Sequence, residues 1–102
     1  MLTLPIKKKW FDMILSGEKK EEYREIKPYY TTRLYHYFDM VNTLPVSKRR
    51  VQVRFSNGYG YAVPYFIANC HLERRTGKAE WGAEPGKEYY VFVIHRIIRK
   101  DN

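Results

Sequence analysis

The sequence predicts a single α+β domain over residues 1–102, with a small, strongly curved sheet of about five strands, closed or nearly closed into a barrel, and two helices covering its openings. Three observations support this prediction. The chain is 44% hydrophobic and 17% aromatic, which suffices for one modest core and is too much for a disordered segment. Two segments have helical spacing of apolar residues. The others alternate or are rich in β-branched and aromatic residues, as strands are.

The N-terminal quarter of the chain predicts a strand, a helix and a second strand. Alternating apolar residues over 2–6 predict the first strand, with Pro5 at or near its end. Over 7–16 the apolar residues fall on one helical face, and Gly17 ends this helix (apolar face: Trp10, Phe11, Ile14 and Leu15). The segment 19–27 is nearly all charged but is compatible with an extended strand.

The middle of the chain predicts a second helix followed by a hairpin. Pro28 suits the first turn of a helix, which we expect to end before Pro45. A loop over 43–47 then leads into a strand over 50–55. Asn57 and Gly58 form a turn signal that favours a hairpin at this point.

The last part of the chain predicts the return strand of that hairpin, a long loop and a final strand. The return strand is expected over 59–73, with Pro64 forcing either an edge position or a bulge. The segment 74–87 is polar and glycine-containing, and predicts a loop that carries Trp81. Residues 88–99 give the densest strand signal of the sequence.

The net charge and the cysteine content of the chain favour some classes of function and exclude others. The chain has 19 Lys and Arg against 11 Asp and Glu, a net charge of +8, which favours an anionic partner. A lone Cys70 excludes an internal disulfide, and three scattered histidines do not make a zinc-ligand set, so we expect neither metal nor cofactor. No signal-peptide pattern or membrane-spanning stretch is evident, which predicts a soluble, cytoplasmic protein without a membrane partner.

The segment 17–24 holds the densest chemical information. In an extended chain, side chains two residues apart share a face, so this segment would present Lys20, Glu22 and Arg24 on one side and Lys19, Glu21 and Tyr23 on the other. One face then carries a carboxylate between two cations, which keeps Glu22 ionised and leaves donors for a phosphate or a base edge. The alternative is a solvated charged strand that compensates its own charge.

This segment resembles the signature of a known family. The pattern G-x-K-x-x-E-x-R of the ASCH domain, a PUA-like β-barrel superfamily associated with RNA and nucleotides, is reproduced by Gly17, Lys19, Glu22 and Arg24. The length and element order are also similar, including a helix with Trp10 before the motif and Trp81-Gly82 in the late loop. The resemblance implies a PUA-like barrel in which the motif side chains line a cleft at its mouth.

Some small ASCH proteins are similar to amidohydrolases that act on acetylated cytidine through a lysine, a threonine and a later glutamate. Lys19 matches that lysine, whereas Glu22 stands at the threonine position and the later glutamate has no clear counterpart. A lysine desolvated in a barrel mouth would act as base or nucleophile, with Glu22 as its proton partner. Alternatively, the two residues form a permanent ion pair without turnover.

Cations interleaved with aromatic rings form a second group of candidates. Single-stranded nucleic acid needs both, since bases stack on rings and phosphates meet cations. The candidate ligand-binding residues are therefore the motif residues Lys19, Glu22 and Arg24 together with Lys9, Trp10, Tyr30, Arg33 and Trp81. The alternatives are that the helical tyrosines pack against the sheet and that Trp81 caps the barrel. Two functions remain open, an RNA- or nucleotide-binding domain and a small hydrolase acting on a modified nucleoside or on RNA.

Overall fold

The computed structural model describes residues 1–39 and 48–101, and within them an α+β fold with two α-helices and one mixed five-stranded sheet. A π-helical turn, Tyr35–Asp39, extends the second helix, and a short 3-10 turn, Ala79–Trp81, precedes the last strand. In chain order the elements are β1 (Leu2–Ile6), α1 (Lys8–Leu15), β2 (Glu21–Glu25), α2 (Pro28–Leu34), β3 (Val51–Asn57), β4 (Tyr65–Thr76) and β5 (Glu88–Asp101).

The predicted fold class and element order are confirmed, and the predicted hairpin needs correction. Strand β4 begins at Tyr65, because the segment after Asn57 forms a wide loop instead of a two-residue turn. Pro64 therefore lies just outside the sheet, where its carbonyl accepts a hydrogen bond from the Asn57 N–H at 2.9 Å. The predicted loop over 43–47 and the end of the second helix before Pro45 lie outside the described residues.

The sheet is open, with β1 and β2 at its two edges. Its strand order is β1-β3-β4-β5-β2, in which β1 and β3 are parallel and the other neighbours antiparallel. Within the part of the chain that the structure describes, no strand pairing joins β1 to β2, so the predicted closure of the barrel is not observed. A side chain crosses the opening instead, since Nη2 of Arg24 on β2 donates to the carbonyl of Pro5 on β1 at 2.8 Å.

Helix α1 packs its apolar face onto the sheet. Its Phe11 ring lies 5.1 Å from the ring of Phe66, which in turn stacks on Phe55 at 5.1 Å between ring centres. Lys8 and Asp12 form an ion pair one turn apart, and Gly17 ends the helix with a φ of +86°, which glycine adopts readily. Cys70 is buried in this core, and burial raises its pKa to about 12, so the thiol stays protonated.

A smaller apolar cluster fixes the loop between β4 and β5 against β2. It contains Tyr23, Ala83, Tyr89 and Val91. The backbone of Gly77 passes so close to Tyr23 that a Cβ there would lie 2.5 Å from the ring. This contact explains why the loop returns close to the start of β2, which brings Trp81 and Gly82 next to the motif residues of segment 17–24.

Arg75 connects carboxylates of β2 and β4. Its guanidinium contacts Glu21 at 2.5 Å and Glu73 at 2.5 Å. Desolvation would raise the pKa of Glu21, but hydrogen bonds from Arg75 and Tyr23 outweigh it and lower that pKa. Hydrogen bonds from His71 and Arg75 likewise lower the pKa of Glu73.

We expect the substitution Arg75→Met to make the fold more sensitive to acid. Because both carboxyls have folded pKa values below their unfolded ones, they stabilise the fold above the unfolded value of about 4.3 and lose this effect as the pH falls through the folded values. Removing Arg75 raises the folded values, so the midpoint of acid unfolding, followed by circular dichroism, should move to higher pH. Arg74→Met is the control, since Arg74 is exposed and lies 3.8 Å from Glu88. Equal midpoints for the two variants would contradict this assignment.

Candidate functional site

Lys19 lies two residues before β2 with its side chain buried, only 1% exposed. Its Nζ donates to the carbonyl of Trp81 at 2.6 Å, pairs with Oε1 of Glu22 at 2.8 Å and lies 4.1 Å from the centre of the Trp10 ring. Desolvation lowers the pKa of Lys19, while the nearby Glu22 carboxylate partly opposes that effect. Two oxygen acceptors and an aromatic face therefore surround the amine.

Glu22 accepts from two cations, as its position in the motif predicts, but one of the two differs from the expected residue. Its Oε2 contacts Nη1 of Arg24 at 2.6 Å, and its Oε1 contacts Lys19 instead of Lys20. The reason is that the extended chain begins only at Glu21, while the Lys19 N–H still bonds to the Met13 carbonyl at the end of α1. Lys20 is exposed and takes no part in this cluster.

Arg24 is held in place by three acceptors. Its Nη1 donates to Glu22 and to the Tyr23 carbonyl at 2.9 Å, and its Nη2 donates to the Pro5 carbonyl. The guanidinium carbon lies 5.9 Å from the centre of the Tyr30 ring. A guanidinium has five N–H donors, and the acceptors found in residues 1–39 and 48–101 leave two of them for a ligand.

The opening between β1 and β2 forms a groove, here called the β1–β2 groove. It consists of two adjoining pockets of about 610 and 440 Å³ that share Pro5, Arg24, Tyr30 and Tyr59. The first is also lined by Trp10, Tyr23 and Tyr89. The second extends along α2, where Tyr29 and Arg33 line it.

The β1–β2 groove is basic. Two carboxylates line it, Glu25 and Glu84, against five cations, which are Lys7, Arg24, Lys27, Arg33 and Lys87. Glu25 already lies within 3.7 Å of Lys27 and 3.5 Å of Lys87. The excess of positive charge along an aromatic wall suits an anionic, ring-containing ligand.

Some of the predicted site residues line the β1–β2 groove, and others lie behind the residues that line it. Four of them line the β1–β2 groove, namely Trp10, Arg24, Tyr30 and Arg33. Lys19 and Glu22 do not line it and lie behind the Trp10 ring and Arg24. Lys9 lies 4.7 Å from the centre of the Trp10 ring, outside the lining.

Trp81 supports the site through its backbone. Its carbonyl accepts from Lys19, and its ring lies 4.5 Å from Nζ of Lys78. The next residue, Gly82, has a φ of +103°, and a Cβ there would lie 3.0 Å from the Trp10 ring. The pair Trp81-Gly82 thus fixes both the buried amine and the ring that covers it.

Other lining residues were not among the predicted site residues, and Lys27, Tyr59 and Lys87 are three of them. Tyr59 is 87% exposed and projects from the loop between β3 and β4. The sequence contains one indication that Tyr59 is exposed, because Tyr59 and Tyr61 alternate with glycines. Such a segment is unfavourable both for a strand and for a packed core.

Residues 1–39 and 48–101 offer neither a candidate membrane-spanning helix nor a candidate metal site. No helix there is long and apolar enough to cross a membrane. No group of three or more His, Cys, Asp or Glu side chains in those ranges could hold a metal ion. Comparisons of the whole chain with protein-family models, with curated proteins and with solved structures gave no match, so the ASCH resemblance rests on the motif residues themselves.

Proposed function

We propose that the protein binds single-stranded RNA or a nucleotide in the β1–β2 groove. The observation that carries this proposal is the placement of Arg24, which is fixed by three acceptors, keeps two free donors and lies beside an aromatic wall. The resemblance to the ASCH domain supports the same function. In this proposal the opening between β1 and β2 corresponds to the mouth of a PUA-like barrel, and the setting is the cytoplasm.

Chemistry and charge support a flexible, single-stranded ligand. Each base has a face that can stack on a ring, and rings of Trp10, Tyr30 and Tyr59 line the groove. Lys7, Lys27 and Lys87 line the first pocket and would meet phosphates, and Arg24 would donate to a phosphate or a base edge. The buried Lys19–Glu22 pair holds this donor in position and does not need to touch the ligand.

We expect Tyr59→Ala to weaken RNA binding by about fivefold to a hundredfold, because loss of one stacking ring costs about 1–3 kcal/mol. The measurement is fluorescence anisotropy of a labelled single-stranded oligouridylate over a range of salt concentrations. Tyr61→Ala is the matched control, since Tyr61 is equally exposed but does not line the groove. The wild-type affinity should fall as salt rises, because cations displace counterions from the phosphates.

Two outcomes would count against RNA or nucleotide binding. One is wild-type protein without salt-dependent affinity for the oligouridylate or for free nucleotides. The other is an equal loss of RNA affinity for Tyr59→Ala and Tyr61→Ala, which would show that the RNA does not bind in the groove.

One observation favours the alternative, a hydrolase that acts on a modified nucleoside. Desolvation lowers the pKa of Lys19, and a neutral amine is a base or nucleophile. Such an enzyme would have to expose an amine that is now 1% exposed and covered by Trp10. Incubation with acetylated cytidine and mass analysis of the products distinguishes the two functions. The binding proposal expects no product, whereas product formation that Lys19→Met abolishes would establish the enzyme.

A further inference from the structure

A chain of three side chains runs along β4 and β5, away from the β1–β2 groove. Oε2 of Glu73 contacts Nε2 of His71 at 2.6 Å, and Nδ1 of His71 contacts Nε2 of His95 at 2.5 Å. Arg75 holds the other oxygen of Glu73. His71 is buried and His95 is exposed, so the chain leads from a fixed carboxylate to the surface.

An irregularity in β5 brings the two imidazoles together. Asn69 pairs with Arg96 and Cys70 pairs with Ile94, so His95 between them has no partner across the strands. A bulge of this kind turns the side chain of the extra residue away from the regular alternation. His95 can therefore meet His71, although the two residues are not paired in the sheet.

The carboxylate at one end sets the protonation of both rings. Glu73 accepts, so Nε2 of His71 must carry a proton and its Nδ1 must accept. Nε2 of His95 then donates, which leaves Nδ1 of His95 with an unshared electron pair at the surface. These tautomers follow from the hydrogen-bond network. His95 is therefore oriented as a proton acceptor.

His95 opens into a pocket of about 510 Å³ between the end of α1 and β5, here called the His95 pocket. Its charged lining residues are all basic. Lys19 among them is paired with Glu22, and the other three cations are Lys20, Arg96 and Lys100. The apolar wall includes Leu15, Ile94 and Ile97. None of the three cations has a carboxylate partner in residues 1–39 or 48–101. Three of the last four carbonyls of α1, those of Asp12, Met13 and Ile14, accept N–H groups.

The surroundings of His95 favour its neutral form. Desolvation, then Arg50, then His71 lower its pKa. The charged and titratable groups near it are His71 and Glu73 from β4, Arg50 ahead of β3, and Lys19, Lys20, Arg96 and Lys100 in the pocket. A ligand that brings both negative charge and a proton would satisfy the cations and the imidazole together.

We propose that the His95 pocket binds a phosphate monoester and that His95 accepts the proton of the bound phosphate. A monoester has a second pKa near 6, close to that of an imidazole, so its monoanion carries a proton that an imidazole can accept. A phosphodiester has no such proton to give. The site is separate from the β1–β2 groove and does not depend on RNA binding there.

The proton transfer balances along the chain of side chains. The phosphate O–H bond breaks and an N–H bond forms at Nδ1 of His95. The N–H bond at Nε2 of His95 breaks, and a new one forms at Nδ1 of His71. His71 then carries the positive charge next to the Glu73 carboxylate, while the phosphate becomes a dianion among the three cations. Glu73 is thus a positioning residue that stabilises the charged imidazole.

The test compares methyl phosphate with dimethyl phosphate by isothermal titration calorimetry from pH 5.5 to 8, in two buffers of different ionisation heat. We expect wild-type protein to bind methyl phosphate at least about tenfold more tightly than dimethyl phosphate, with a measurable proton linkage. His95→Asn should lose this preference and the linkage. Glu73→Gln should keep the fold and shift the pH profile of binding. His36→Asn is the matched control, since His36 lies on the π-helical turn outside the pocket.

Equal affinity of the wild-type protein for the two esters would overturn the proposal, and this result does not depend on any variant. Methyl phosphate binding that His95→Asn leaves unchanged would overturn it as well. A 5′-phosphorylated tetrauridylate separates two sources of the ligand, with its 5′-hydroxyl counterpart as the reference. Tighter binding of the phosphorylated tetrauridylate than of methyl phosphate would support an RNA end as the ligand, and equal binding would support a small phosphate ester.

Discussion

Replacing Glu22 with alanine is expected to lower the free energy of unfolding by about 3–5 kcal/mol, because a buried ammonium loses its counter-ion. Lys19 is 1% exposed and would keep the Trp81 carbonyl and the Trp10 and Tyr23 rings, none of which carries a full negative charge. Arg24 would lose its carboxylate at the same time. Urea denaturation monitored by tryptophan fluorescence measures this loss.

Two further variants show whether the loss of stability in Glu22→Ala comes from the buried ion pair. Glu18→Ala removes an exposed carboxylate from the same segment and should change stability by no more than about 0.5 kcal/mol. Lys19→Met removes the other member of the pair, but Glu22 keeps Arg24, so its cost should be smaller than that of Glu22→Ala. A loss below about 1 kcal/mol for Glu22→Ala would show that the buried ion pair does not hold this region together.

The substitution Arg24→Lys should reduce both stability and RNA affinity, although it keeps the charge. A lysine cannot reach Glu22 and the Pro5 carbonyl together, because it lacks the planar fork of the guanidinium. Each hydrogen bond involving a charged group contributes about 1.5–3 kcal/mol, so we expect a loss of about 2–3 kcal/mol in urea denaturation. The affinity for the oligouridylate should fall as well, since the remaining donors move.

Arg33→Lys is the control for Arg24. Arg33 lines the same groove but is exposed, with its guanidinium 5.2 Å from the centre of the Tyr29 ring. Its replacement should leave stability within about 0.5 kcal/mol of the wild type. If Arg24→Lys behaved in the same way, the connection between β1 and β2 would have no structural role.

Local pattern predicted most elements because their apolar periodicity is strong. Alternation predicted β1, and one-sided apolar spacing predicted α1, whose structure follows those residues closely. The start of β4 was predicted too early, because the hairpin signal Asn57-Gly58 is followed by more glycine and exposed tyrosine. The pairing of β2 with β5 was not predictable, since it joins segments far apart in the chain.

The sequence predicted those residues of the candidate site that contribute through their side chains. The motif spacing identified Arg24, and the aromatic spacing of the second helix identified Tyr30. The role of Trp81 was not predictable, because its carbonyl, which any residue has, holds Lys19. The contact between His71 and His95 could not be predicted from the sequence either. It depends on a bulge in β5 that leaves His95 without a cross-strand partner.

The edge position of β2 has a consequence for the order of folding. The backbone partner of β2 is β5, so that Glu21 near the start of the chain pairs with Val93 near its end. Closing so long a loop is slow compared with forming the adjacent β4–β5 hairpin. During synthesis the Lys19–Glu22–Arg24 cluster cannot assemble until the last strand has left the ribosome. We therefore expect the groove to form only after β5 has been synthesised, so that chains that still lack β5 do not compete for its ligand.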